Sequence, residues 1–265
     1  MVMAKIHETA VISPTAEIGD AEIAEYVIIR GEVKIGDGVY IGPHTIIEGK
    51  TTIGEGTKIL FSASIGLPPQ DIKYRGEPTE VIIGKNNTIR EFVTIHRGTA
   101  GGGGITKIGD NNLLMAYVHI AHDCQIGNGV ILANAVNMGG HTVIEDEAII
   151  GGLVGIHQFV HIGRLAMVGA ASMVLQDVLP FALVSGNPAK VHDINRIGLR
   201  RRNFPSHIID AIHKAVVYIT RRGLSLEEAL SKIRSEKLDK YDEVKHILRF
   251  VENRSCRGIL RGETV

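Results

Sequence analysis

Acid–base chemistry is most concentrated in one run of this 265-residue sequence, His119-Ile120-Ala121-His122-Asp123-Cys124. Two imidazoles three residues apart stand beside a carboxylate. A neutral imidazole with a pKa of about 6.5 can take the proton of a poor nucleophile such as an alcohol. An adjacent Asp can hold the ring in the tautomer that leaves one nitrogen free. By itself a His–Asp step is equally at home as a solvated turn whose Asp caps the corner. Further candidates are His96, His141, His157, the Gly139-Gly140 pair, Lys73 in a Pro/Gly-rich stretch and Arg200-Arg201-Arg202.

The elements that must position these residues repeat with a period of six. An aliphatic residue recurs at Ile108, Leu114, Ile120, Ile126, Leu132, Met138, Ile144, Ile150, Ile156, Ile162, Val168 and Val174. Two places before most of them stands a small or apolar residue, such as Val118, Cys124, Val130 or Val136. The same phase runs from Ile23 to Ile65 and resumes at Ile83, Ile89 and Ile95. Six is neither the 3.6 of a helix nor the 2 of a long strand. It fits a short strand and a tight corner, repeated so that every aliphatic pair faces one wall. Three such units per triangular coil give about eight coils and a prism on the order of 40 Å long.

On this reading residues 1–189 form a parallel β-helix, with loops inserted at about 66–80 and 97–107 that fall between coils. Both ends of the prism need covers, because open strand edges invite pairing. Residues 190–265 supply one as a small helical domain. Ile208, Ile209, Ile212, Val216 and Ile219 make a helical stripe, with Arg221-Arg222-Gly223 as its stop. Ser225-Leu226-Glu227-Glu228 is a capping box for the next helix, and Tyr241, Val244, Ile247, Leu248 and Val251 mark a third.

The phase also orients the chemistry. His122 lies two places beyond the inward Ile120, hence in a corner and pointing away from the core. Neighbouring side chains diverge along a strand, so His122 and Asp123 meet only if the chain turns between them. Gly140 follows His122 by eighteen residues, one coil. A glycine there lets a backbone N–H come close to a reacting carbonyl, whereas Gly139 reads as an ordinary corner residue.

Composition narrows the class. Aromatics are 5% and Trp is absent, which suits thin aliphatic layers better than a bulky globular core. The net charge is zero, so nothing suggests a nucleic-acid binder or a polybasic membrane surface. The two cysteines have no metal-type spacing, and Cys124 falls on the inward phase as a small hydrophobe. Met1-Val2-Met3-Ala4-Lys5 begins no apolar signal core and no run approaches a membrane span. A cytoplasmic protein without metal or cofactor is expected.

Particular words then carry a resemblance: Lys73-Tyr74, Gly76-Glu77-Pro78-Thr79, Thr94-Ile95-His96-Arg97-Gly98-Thr99, Asn112-Leu113-Leu114-Met115, His119 to Cys124, Gly140-His141, His157-Gln158-Phe159, and Gly198-Leu199 before the three arginines. In this order, across nearly the whole chain, the sequence resembles the left-handed parallel β-helix acyltransferases, and among them the UDP-N-acetylglucosamine O-acyltransferases. Periodicity alone leaves the hand open, and parallel crossovers are nearly always right-handed; the resemblance implies the left-handed exception. It implies a homotrimer with sites in clefts between prisms. It also implies transfer of an (R)-3-hydroxyacyl group from acyl carrier protein to the glucosamine 3-hydroxyl of UDP-N-acetylglucosamine, or to a 3-amino analogue, as the first step of lipid A synthesis.

Residue by residue, the resemblance makes His122 the general base, Asp123 its orienter and Gly140 the oxyanion donor. It places His141 on the sugar, His157 and Gln158 near the acyl chain, and His96 and His119 in support. Lys73 becomes a substrate-positioning cation. Asn195, Arg201 and Arg202 become nucleotide and phosphate contacts, although the arginines would equally suit an acidic carrier protein. Ala170 occupies the end of the acyl tunnel, where several relatives have glycine, so a slightly shorter chain is expected. Ile197 departs from a polar nucleoside contact. A zinc-binding γ-class carbonic anhydrase is disfavoured by the three-residue His119–His122 spacing. A sugar-nucleotide N-acyltransferase is disfavoured because hexads begin almost at once, without a uridine-binding domain. A non-catalytic hexapeptide scaffold predicts that His122 is dispensable.

Overall fold

A β-branched pair favours extended backbone, and the corners between pairs hold residues in the left-handed region. The computed structural model describes residues 4–220 and 223–261. Met1 to Met3, the Arg221-Arg222 of the expected helix stop and the last four residues lie outside the described residues. Strands of mostly two residues build three parallel faces. The first face includes Leu113–Leu114, Ile131–Leu132, Ile149–Ile150 and Met167–Val168. The second includes Thr94–His96, His119–Ile120, Asn137–Met138 and Gly155–Ile156, and the third Ile105–Ile108, Gln125–Ile126 and Val143–Ile144. Each complete coil adds one strand to each face, and the eight-stranded third face counts eight of them.

Register places like on like: Ile120 pairs Met138, which pairs Ile156, which pairs Val174. The inward residues from Ile23 to Ile65 and from Ile108 to Val174 are all buried, as are Val118, Cys124, Val130 and Val136. Stacking thus converts a six-residue pattern into one continuous apolar column, worth about 25 cal/mol for each Å² of apolar surface removed from water.

The corners fix where side chains emerge. Asp123, His141 and Phe159 have φ of 60°, 61° and 67°, one coil apart on one edge. Left-handed backbone costs a non-glycine residue roughly 1–2 kcal/mol. A ladder offsets it: His141 N–H donates to His122 C=O at 3.0 Å, and Phe159 N–H to Gly140 C=O at 3.0 Å. The turn required between His122 and Asp123 is present.

Two expectations need correction. Both insertions leave from the edge between the second and third faces, after Leu67 and after His96, and so fall within a coil. A corner already points to solvent, so extra residues there disturb no strand register. Nor are both ends covered. Among the described residues nothing lies over the first coil, where Ile6 and Val11 are exposed. Its strands are only two residues long and carry Lys5 and Glu17, which limits their use as a pairing edge.

At the other end Lys190–Ile194 still belongs to the first face, antiparallel to Ala182–Ser185, and helix begins only at Arg196. Helix α1 is Arg196–Arg201, α2 Ser206–Thr220, α3 Leu226–Ser235 and α4 Asp242–Glu252. The buried stripe of α2 (Ile209, Ile212, Val216, Ile219) packs against α3, α4 and the last strand. Ser225 and Glu228 form the reciprocal capping box of α3. The C-terminal segment is tied back by buried Asp177, which accepts from Ser255 N–H, Ser255 Oγ and His161 N–H. No described helix is long and apolar enough to cross a membrane.

Candidate active site

Five successive coils turn at the edge between the second and third faces, and most of the singled-out residues stand there. The first insertion carries Lys73, the second follows His96, and the next three corners hold His122-Asp123, Gly140-His141 and His157-Gln158-Phe159.

His122 Nδ1 lies 2.7 Å from Asp123 Oδ2. An ionised carboxylate only accepts, so Nδ1 carries the proton and Nε2 of the neutral ring keeps its lone pair. Nε2 faces Gly140, where an added Cβ would lie 2.7 Å from Nε2 and 2.6 Å from Cε1. Only glycine fits against the ring. The Gly140 N–H donates to no acceptor among the described residues.

Asp123 is 1% exposed in its side chain, against 16% for His122 and 25% for His141. Burial pulls its carboxyl upward, but hydrogen bonds from His122 and Thr99 outweigh that and hold it below the usual range. His141 Nε2 is 3.8 Å from Asp123 Oδ2, and its ring stacks on Phe159 at 4.5 Å. Burial lowers the His141 pKa; Asp123 opposes this, and the neighbouring His122 adds to the lowering. His119 is lowered by burial and by His96 and His122, and its Nδ1 pairs with Thr94 Oγ1 at 2.7 Å. His96 is buried and donates through Nδ1 to Pro68 C=O at 2.6 Å, anchoring the first insertion. Burial pushes the Cys124 thiol up to about 12, so it stays a neutral filler.

Lys73 is exposed, and its own N–H donates to Asp71 Oδ1. Arg97 clamps this loop through Tyr74 Oη at 3.1 Å and Gly66 C=O at 3.0 Å. Asp71 of the first insertion is among the charges that oppose the lowering of the His141 pKa. His157 Nδ1 donates to Gln158 C=O at 3.1 Å, while the Gln158 side chain is exposed.

By residue type His122, Asp123 and His141 could hold a cation, with ligand atoms within 4.8 Å of one another. Asp123 is, however, already committed: Oδ1 accepts from Thr99 N–H, and Oδ2 from the Thr99 hydroxyl and His122. That arrangement suits proton transfer.

The remaining residues lie elsewhere. A groove of about 740 Å³ runs along the first face beside α1 and is lined by Ile149, Met167, Asn195, Ile197 and Arg201 among others. In a triangular prism that face is opposite the His122 edge. Asn195 is buried and caps α1: Oδ1 accepts from Gly198 N–H at 3.0 Å and Nδ2 donates to Leu165 C=O at 3.0 Å. Arg202 pairs with Glu147, which also holds Arg164. Arg201 is exposed and has no partner among the described residues. Ala170 is exposed at a third place, the corner between the first and second faces.

Sequence reasoning missed Thr99, Thr106 and Gly102, which surround Asp123. Thr99 and Gly102 sit in an insertion outside the period, where only the matching word ending in Thr99 gave a sign, and Thr106 holds the inward position two before Ile108 on the third face, where it reads as a core residue.

Comparison with known proteins follows the same lines. A family described as UDP N-acetylglucosamine O-acyltransferase, domain 2, matches residues 177–260, and bacterial transferase hexapeptide repeats match 32–66 and 105–140. The chain is 52% identical over 260 residues to a protein of Thermodesulfovibrio yellowstonii named acyl-[acyl-carrier-protein]–UDP-N-acetylglucosamine O-acyltransferase, covering 98% of this chain and 100% of that one. Among solved structures it resembles the UDP-N-acetylglucosamine O-acyltransferase of Moraxella catarrhalis, with TM-score 0.93 and 43% identity over 97% of this chain and 99% of the other. The UDP-N-acetylglucosamine acyltransferase of Francisella novicida superposes at TM-score 0.93 with 37% identity, covering 97% and 94%. The coil is the left-handed parallel β-helix with a small C-terminal helical region.

Proposed function

Because the chain belongs to the acyl-[acyl-carrier-protein]–UDP-N-acetylglucosamine O-acyltransferases, we propose that it moves an (R)-3-hydroxyacyl group from acyl carrier protein to the 3-hydroxyl of UDP-N-acetylglucosamine, opening lipid A synthesis in the cytoplasm. The observation that carries the mechanism is the 2.7 Å His122–Asp123 contact with Gly140 packed against the same imidazole ring.

His122 Nε2 takes the proton of the sugar 3-hydroxyl as its oxygen attacks the thioester carbonyl carbon. The carbonyl electrons move onto oxygen, and the Gly140 N–H stabilises that oxyanion. Collapse breaks the C–S bond, and the departing thiolate takes the proton from His122 Nε2 and leaves as a thiol. Asp123 favours the transient imidazolium and holds Nδ1–H. Neutral His141 and Lys73 are read as contacts to the sugar, and His157 and Gln158 as contacts toward the acyl chain, with His96 and His119 supporting the edge.

The nucleotide is assigned to the first-face groove, where Arg201 offers a free fork for diphosphate, Arg202 lies behind it and Asn195 positions the turn. Groove and His122 edge lie on opposite sides of one prism, so one chain cannot close both on a single substrate. A homotrimer that sets the groove of one copy against the edge of the next supplies the complete site, with Ala170 at the far end of the acyl cleft.

The test is mass spectrometry of the product formed from a mixed pool of acyl carriers with UDP-N-acetylglucosamine and its 3-amino analogue. An O-linked 3-hydroxyacyl product is expected, formed at an unchanged rate after chelation. A chelator-sensitive activity, or full activity in His122→Ala, would overturn the reading.

A further inference from the structure

The second insertion is longer than a corner needs, and its tract from Gly101 to Gly104 takes no part in the chemistry above. It folds over Asp123. A 3-10 turn at Ala100–Gly102 brings Gly102 N–H and Gly104 N–H back to Thr99 C=O, at 3.0 and 2.8 Å. Gly102 approaches so closely that a Cβ there would stand 2.1 Å from Asp123 Cγ. Beneath it, Thr99 N–H donates to Asp123 Oδ1 at 2.9 Å and the Thr99 hydroxyl to Oδ2 at 2.7 Å. Thr106 Oγ1 accepts Asp123 N–H at 2.8 Å.

A carboxylate removed from water keeps its charge only if donors replace the lost hydration. Three donors reach Asp123: two from Thr99 and the third from His122 Nδ1. The Thr99 hydroxyl and the imidazole share one oxygen, Oδ2. We propose that Thr99 is a positioning residue for the reaction at this edge, orienting Asp123 through both oxygens and dividing Oδ2 with His122, so that the imidazole is held in its Nδ1–H form. This rests on the reading of His122 as general base.

The consequence has a definite sign. An ionised carboxylate favours the imidazolium, and a hydroxyl sharing the same oxygen draws part of that influence away. Without the hydroxyl, Oδ2 acts on His122 alone. Of the two Thr99 donors only the N–H on Oδ1 then remains, beside the His122 contact on Oδ2. The other charged or titratable groups near this pair are His119 and His96 on the second face, His141 on the next corner, the buried Cys124 thiol and Asp71 of the first insertion. All are unchanged by a Thr99 substitution and contribute equally to both profiles.

The experiment compares kcat/KM against pH for wild type, Thr99→Val, Thr99→Ser and His122→Ala. In parallel, the pH dependence of His122 carbethoxylation is followed, which reads the ring without turnover. Thr99→Val is expected to lower kcat by about tenfold to a hundredfold, as loss of an orienting partner does, with KM for the nucleotide sugar unchanged. Its acid limb and its labelling midpoint should both move to higher pH, and Thr99→Ser should restore both. If Thr99→Val does not fold, the labelling midpoint of Thr99→Ala supplies the same reading. Unmoved limb and midpoint, with His122→Ala inactive, overturn the role of Thr99 alone. Retained activity in His122→Ala overturns the general-base reading beneath it.

Discussion

Mixing two crippled chains should restore catalysis. His122→Ala keeps the first-face groove but removes the base, and Arg201→Ala keeps the base but removes the free guanidinium of the groove. If each site takes its base from one copy and its groove from the next, a chain with either defect still contributes one sound half. Random reassembly into rings of three makes about three-quarters of the assemblies mixed, each with one intact junction in three. About a quarter of wild-type sites should therefore return, against a background of roughly a tenth or less for Arg201→Ala alone, as loss of one charge-assisted contact implies. The assay is acyl transfer after co-refolding equimolar chains, with light scattering to confirm rings of three. Activity no higher than the mean of the separate variants would refute the shared site, because it would mean that groove and edge serve the same chain.

Gly140→Ala should cost about a hundredfold in kcat, as displacement of a base or an oxyanion donor does, because its Cβ would fall 2.6 Å from the His122 ring; wild-type kcat in this variant would argue against the contact. Ala170→Gly should shift preference toward a longer acyl chain in a ladder of carriers, and an unchanged optimum would remove Ala170 from the acyl path. Asp123 has a depressed pKa, so its ionised form stabilises the fold above its unfolded value of about 3.9, and this is lost as pH falls through the lower folded value. Wild type should thus exceed Asp123→Asn in Tm at pH 5, with the margin shrinking below about pH 4. A margin that persists undiminished at pH 3 would show that the carboxylate charge is not its source.

The period of six made the prism legible because an inward residue in a stacked coil has no other environment. The same regularity put Gly140 one coil after His122, and the glycine does lie against that ring. What lay outside the period could not be read. That Thr99 reaches Asp123 depends on how far a glycine tract folds back, which no spacing reports. The shared edge of the two insertions was missed for the same reason. Lys190–Ile194 carries Lys, His and Asp among its five residues and so does not read as strand, yet it pairs with Ala182–Ser185. Asn195 looks like any polar residue near arginines until its amide is found capping α1.

Because both insertions depart from and return to one edge, neither alters the phase of any coil above or below it. Either excursion can lengthen, shorten or change composition while the apolar column keeps its pitch. The scaffold and the covering of its acid–base pair are therefore separable traits of a single chain, and variation in what the enzyme accepts can accumulate in the excursions without reopening the question of how the protein folds.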